Sequence, residues 1–234
     1  MYKLEWDSKF WGIEIYNVDK DYTFYIPSAI NEKKYKSWLI QALVDVDKVE
    51  TINKLENEDF RYVDTKVNLV KKAINRYEID EKFFKDVRQD EIENYKNIFG
   101  ILYYEISRYK IFGIKKVNEF YYTWVINSIF GKMDDKCIGF YIQGKLGGFI
   151  TFKIRSNQLM IGLIGVFPEF QRKGISQQLL NMVNNEALKN NCNIISVSTQ
   201  GRNLNAINAY IKNGFNLKNI QNWYYLRGNY NDIF

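Results

Sequence analysis

The chain of 234 residues contains no histidine, two cysteines and two prolines. The lack of histidine rules out a Ser-His or Cys-His nucleophile, an imidazole base and most zinc sites. Cys137 and Cys192 are far apart and in no metal-like spacing, so neither a disulfide framework nor a metal site is read from them. No apolar run approaches the length of a membrane span, and the opening Met1-Tyr-Lys-Leu-Glu-Trp-Asp has no apolar signal region. The expectation is a soluble protein of a reducing cytoplasm. No dense basic stripe is present either. The net charge of +6 is dispersed, which suits a solvated surface or phosphate-bearing small molecules better than nucleic acid.

What is present is apolar and aromatic. A hydrophobic content of 46% and an aromatic content of 17% supply a sizeable core. Lys34 to Val49 reads as an amphipathic helix, with Trp38, Leu39, Ala42, Leu43 and Val46 at helical spacing. Phe60 to Val70 reads as a strand. Lys71 to Asp90 lacks periodicity, which places a junction between residues 1–90 and 91–234. Beyond it, Glu91 to Tyr109 and Phe120 to Phe130 read as helices, with a loop over Phe112 to Asn118. Strands follow over Cys137 to Gln143 and Leu146 to Ile154, hinged at Gly144-Lys145, and then over Gln158 to Val166. Ile175 to Leu188 reads as helix, Asn193 to Ser198 as strand, Ala206 to Lys212 as helix and Trp223 to Arg227 as a last strand. The class is α/β with a mixed central sheet. A weak echo links Leu55…Leu69 to Ile211…Leu226: in both, a helix end meets Phe and then a strand. Either any such joint looks alike, or the first part is a truncated copy of the second.

The stretch Val166-Phe-Pro-Glu-Phe-Gln-Arg-Lys-Gly-Ile-Ser176 runs from an apolar strand through a basic, glycine-bearing turn into a helix. The first N–H groups of a helix have no partner within it, and its dipole adds positive charge there, so a phosphate can sit at that end. Gly174 lets the backbone come close, Arg172 and Lys173 add charge, and Gln171 can bond the loop or the anion. An ordinary strand–helix connection is the other reading. Further along, Asn203, Ala206, Tyr210, Gly214 and Phe215 fall in an ordered pattern. Asn203 is a candidate N-cap. Tyr210, two turns on, is open to packing or to chemistry.

These two segments, in this order, resemble the Gcn5-related N-acetyltransferase (GNAT) superfamily. Gln171-Arg-Lys-Gly-Ile-Ser176 is similar to its pyrophosphate loop, with Ser176 where glycine or alanine is usual. The resemblance implies the acyl-CoA N-acyltransferase fold, preceded by a truncated copy in residues 1–90. It also implies acetyl-CoA as the acyl donor. Ile164, Gly165, Val166, Gln171, Arg172, Lys173, Gly174, Ile175, Ser176, Asn203 and Ala206 would hold it. Within the superfamily, Trp6 to Gly12, Phe120 to Asn127, Ser198 to Gln200 and Ala209 to Ile211 are most similar to the nucleotide-sugar N-acetyltransferases that act on dTDP-4-amino-4,6-dideoxygalactose (dTDP-fucosamine). That implies an amino-sugar acceptor and a role in surface-polysaccharide precursor synthesis.

The implied chemistry is direct attack of a neutral amine on a thioester. The Val166 N–H would face the thioester oxygen and Tyr210 would serve as general acid. Gln158 to Val166 contains no acid, so the base is left to a water chain or a backbone carbonyl. Arg108, Tyr109, Tyr121 and Trp124 are the candidates for the acceptor, although Phe120, Tyr121 and Trp124 equally suit a core. The alternatives are another amine within the superfamily, a non-catalytic acyl-CoA-binding module and a basic nucleic-acid binder. A homodimer would cover the aromatic surface, but no feature demands one.

Overall fold

The computed structural model describes residues 1–22 and 37–228. The chain forms two compact units, Met1–Lys66 with Asn219–Phe234, and Val67–Lys218. Asp90 falls inside the second.

The first unit opens with β1 (Tyr2–Lys3), α1 (Glu5–Trp11) and β2 (Glu14–Asn17). Gly12 ends α1 in the left-handed region at φ 76, a conformation that costs glycine little. Next come β3 (Trp38–Asp45), α2 (Val49–Asn57) and the start of β4 (Arg61–Lys72). The chain's last strand, β10 (Asn216–Arg227), returns here and pairs antiparallel with β3, from Gln221 opposite Asp45 to Arg227 opposite Leu39. Val18, Ile40, Ala42, Val44, Leu55, Phe60 and Tyr224 form the core of this unit. Of the helix expected over Lys34 to Val49, Trp38–Asp45 is therefore a strand and Val49 already opens α2; residues 34–36 lie outside the described residues. Leu39 to Ala42 are all buried, so both faces of β3 are covered. Such a strand shows no alternation, and its apolar run mimics a helix.

The second unit takes the rest of β4, then β5 (Phe84–Asp86), α3 (Gln89–Glu93), α4 (Phe99–Tyr103) and α5 (Gly113–Ile129). The continuous helix expected over Glu91 to Tyr109 is thus two short pieces and a 3-10 turn at Arg108–Phe112. The Asn118 side chain draws this segment in: its Oδ1 accepts the Gly100 N–H at 2.7 Å and its Nδ2 donates to the Lys96 carbonyl at 2.8 Å. Residues 113–118, expected as loop, form the first turns of α5. The hairpin β6 (Lys136–Ile142) and β7 (Lys145–Arg155) forms with its turn at Gln143 and Gly144, one residue earlier than expected, followed by β8 (Gln158–Val166), α6 (Ile175–Lys189), β9 (Ile194–Gln200) and α7 (Leu204–Lys212). The strand order here is β4-β9-β8-β7-β6-β5. β8 runs parallel to β9 and antiparallel to β7, so the sheet is mixed. Phe149, Leu179, Val183 and Phe167 are fully buried between this sheet and its helices.

Candidate functional site

The site is built where β8 gives way to α6. β8 and β9 pair only from Gln158 opposite Ile194 to Ile161 opposite Val197. Beyond that step β8 runs on to Val166 and β9 to Gln200 without pairing to each other, and the two strands splay. The Phe167 N–H donates to the Gly147 carbonyl on the β7 side at 3.0 Å. Peptide groups alternate along a strand, so the N–H of Val166 points the other way, into the gap.

At the end of the gap lies the turn. Arg172 sits at φ 63, where side chains are strained, and Gly174 caps α6 at φ 75. A Cβ placed on Gly174 would meet nothing within 4 Å, so open space faces the helix start. The Gln171 amide donates to the Val166 carbonyl at 3.2 Å and ties the turn to the strand end. Asn203 caps α7 as expected: its Oδ1 accepts the Ala206 N–H at 3.2 Å and its Nδ2 donates to Thr199 Oγ1 at 3.1 Å.

These pieces line one cleft of about 490 Å³. Ile164, Gly165, Val166, Gln171, Arg172, Gly174, Ile175, Ser176, Asn203 and Ala206, all singled out from sequence, come together in it. Its donors fit an anion with an extended arm: helix N–H groups and a guanidinium at one end, strand amides that β9 does not reach along the gap. Lys173, also expected here, lines a neighbouring hollow with Glu78 and Asp80, and its ammonium lies 5.3 Å from the centroid of the Phe170 ring.

The four residues assigned to the acceptor do not line the cleft. Trp124 Nε1 donates to Asp134 Oδ2 at 2.9 Å, and the buried Tyr121 hydroxyl donates to Ser107 Oγ at 3.2 Å. The Arg108 guanidinium stacks on the Tyr109 ring, 4.1 Å from its centroid, and bonds its hydroxyl. Their polar groups hold the fold at these contacts.

Leu102, Tyr103 and Ile106 form a wall that the sequence did not announce. The Tyr103 hydroxyl donates to the Ile164 carbonyl at 3.0 Å, and its ring stacks on Tyr121 at 4.4 Å. Nothing in Leu102-Tyr103-Tyr104 marks one tyrosine over its neighbour. Tyr210 is buried on α7, does not line the cleft, and its ring centroid lies 5.5 Å from that of Phe215.

Burial pushes both the Tyr103 and Tyr210 phenols well above the ordinary tyrosine value; for Tyr103 the neighbouring phenols of Tyr121 and Tyr210 add to the effect. The folded chain thus keeps protons that an unfolded chain releases above about pH 10. The stability these groups contribute is intact below that pH and is lost as pH rises towards the folded values. In an alkaline titration followed by phenolate absorbance, this pair is expected to ionise only as circular dichroism reports unfolding. Smooth ionisation before unfolding would show them open to solvent.

Residues 86–215 match the acetyltransferase (GNAT) family model. A GCN5-related N-acetyltransferase from Sphaerobacter thermophilus superposes with a TM-score of 0.59 at 13% identity over 82% of this chain, which spans 60% of that structure's length. A tandem GNAT protein from the clavulanic acid biosynthesis pathway gives 0.57 at 8% identity, covering 86% of this chain and 66% of its own. A GNAT-family acetyltransferase from Colwellia psychrerythraea gives 0.52 at 13% identity, with coverages of 89% and 78%. At these identities the likeness is one of fold. No curated protein matches the chain. Among the described residues, no helix is long and apolar enough to cross a membrane.

Proposed function

The chain belongs to the acetyltransferase (GNAT) family, and from that premise we propose that it transfers acetyl from acetyl-CoA to the amine of a nucleotide-linked amino-dideoxy sugar. The observation that carries the acyl-donor half is the splay of β8 from β9 past Ile161 opposite Val197, directly above the start of α6. In this reading the N–H groups at the start of α6, with Arg172 and Gln171, hold the pyrophosphate. The exposed peptide edge of β8 takes the pantetheine arm. Asn203 and Ala206 line the opposite wall. Bound acetyl-CoA supplies the thioester carbonyl as electrophile.

The Val166 N–H donates to the carbonyl oxygen as charge gathers there, which lowers the barrier to amine attack. As the C–N bond forms and the C–S bond breaks, Tyr210 supplies the proton for the departing sulfur, and the proton that the amine sheds leaves through water and restores the phenol. The raised Tyr210 phenol is protonated at neutral pH, as an acid must be before it acts. A sugar amine is less basic than lysine, with its pKa of about 10.4, so a larger share is neutral without a strong side-chain base. The amino-sugar acceptor is supported by the motif likeness of Trp6 to Gly12 and Phe120 to Asn127. The same likeness supports reading residues 1–90 as a truncated copy of the fold.

Thiol release from acetyl-CoA across amino-sugar nucleotides, polyamines and short peptides tests the proposal. Turnover confined to sugar nucleotides is expected. Turnover on peptides or polyamines alone would discard the sugar, and acetyl-CoA binding without turnover would favour a binding module. Within the donor site, Arg172→Ala is expected to raise the acetyl-CoA Kd by less than about tenfold, because the side chain is exposed and backbone donors remain. Calorimetric titration checks this, and the loss should shrink as salt is added.

A further inference from the structure

Asp134 lies outside the cleft, fully buried, and takes no part in the acyl-transfer steps. Its Oδ2 accepts from Thr151 Oγ1 at 2.6 Å and Trp124 Nε1 at 2.9 Å, while the Ser128 hydroxyl, 3.2 Å away, shares its one hydrogen between this oxygen and the Trp124 carbonyl at 2.9 Å. Thr151 in turn accepts the Leu163 N–H at 2.9 Å. A hydroxyl can donate and accept at once, while a carboxylate only accepts, so Asp134 fixes which way the Thr151 hydroxyl points.

The position of this chain of bonds is what matters. Ile150 pairs with Ile164 and Phe152 with Ile161, so one residue of β7, Thr151, stands opposite two of β8, Gly162 and Leu163. That is a β-bulge, which bends the strand that carries the extra residue. The Leu163 N–H takes the Thr151 side chain as its acceptor. The last β8–β9 pair, Ile161 opposite Val197, is the step immediately before Gly162. The bulge and the opening of the cleft thus begin at the same peptide.

We propose that Asp134 and Thr151 are positioning residues that lock the β8 bulge and so hold the Ile164–Val166 backbone edge open for the acyl donor. Trp124 and Ser128, both on α5, orient the carboxylate, so α5 acts on the cleft through Asp134 without reaching it. The ligand side of this inference rests on the acyl-CoA reading above; the bulge lock itself does not.

The test uses Thr151→Val, which keeps the shape and removes the hydroxyl, and Thr151→Ser, which restores it. Amide exchange of Leu163 to Val166 is measured by NMR without ligand, against Phe140 and Phe149 elsewhere in the sheet. Acetyl-CoA affinity is measured by calorimetry. Thr151→Val is expected to speed exchange selectively at Leu163–Val166 and to raise the acetyl-CoA Kd at least about tenfold, the size of a lost buried hydrogen bond. Thr151→Ser is expected to rescue both. If Thr151→Val does not fold, Trp124→Phe, which removes one donor from Asp134, is expected to give the same selective pattern at smaller amplitude. Uniform exchange across the sheet, or wild-type affinity with the valine in place, overturns the proposal. If the wild type itself does not bind acetyl-CoA, the acyl-donor reading fails, and the exchange contrast alone decides the bulge lock.

Discussion

Tyr210→Phe is expected to lower the turnover of acetyl transfer about 100-fold, the lower end of what a positioned acid contributes, and to leave acetyl-CoA affinity unchanged. The substitution keeps the ring that packs against Phe215 and removes only the hydroxyl. Tyr210 is not among the residues lining the cleft, so the donor should bind as before. Tyr103→Phe is the matched comparison. It removes the bond to the Ile164 carbonyl, with a stability loss of about 1 kcal/mol, and should spare most of the turnover. Steady-state kinetics on the best acceptor, with binding measured separately, distinguishes the two. If Tyr103→Phe is the crippled enzyme and Tyr210→Phe is not, the acid is the tyrosine that lines the cleft.

Gly162→Ala is expected to cost about 1–3 kcal/mol of stability, as overpacking of a filled interior does. A Cβ at this position would overlap Asp134 Oδ2 and lie 2.8 Å from Thr151 Oγ1. Neither atom can retreat freely, because each holds hydrogen bonds that fix it in place. For a chain of this size the melting temperature should fall by roughly 2–10 °C. Thermal unfolding checks the figure. An unchanged melting temperature would mean that the carboxylate swings aside cheaply, which would also weaken the case for Asp134 as a fixed anchor.

Which features could be read from the sequence follows from how local they are. The turn at Gln171–Gly174, the cap at Asn203 and the hairpin at Gly144-Lys145 depend on residues within a few positions of one another. The first two formed where their residues said they would, and the hairpin formed with its turn one residue earlier, at Gln143 and Gly144. The Lys34 to Val49 stretch failed because burial on both faces erases the alternation that marks a strand. The 91–109 stretch failed because Asn118, far along the chain, bonds the Gly100 and Lys96 backbone and shapes its path. The cleft divides in the same way. Its strand and turn are contiguous in sequence, whereas Leu102, Tyr103 and Ile106 arrive by tertiary packing and carry no local signature. Trp124 shows the converse: an aromatic that suggested a ligand platform spends its indole N–H on a buried carboxylate.

The return of β10 to β3 limits how the molecule can be taken apart. The family-matched portion ends at Phe215, one residue before β10 begins. Cutting there to obtain a minimal catalytic piece would strip β3 of the partner that runs from Asp45 to Leu39 and leave a long apolar strand edge bare. Reporter fusions and trimming experiments should therefore spare the stretch up to Arg227, however dispensable a tail beyond the recognisable motifs looks.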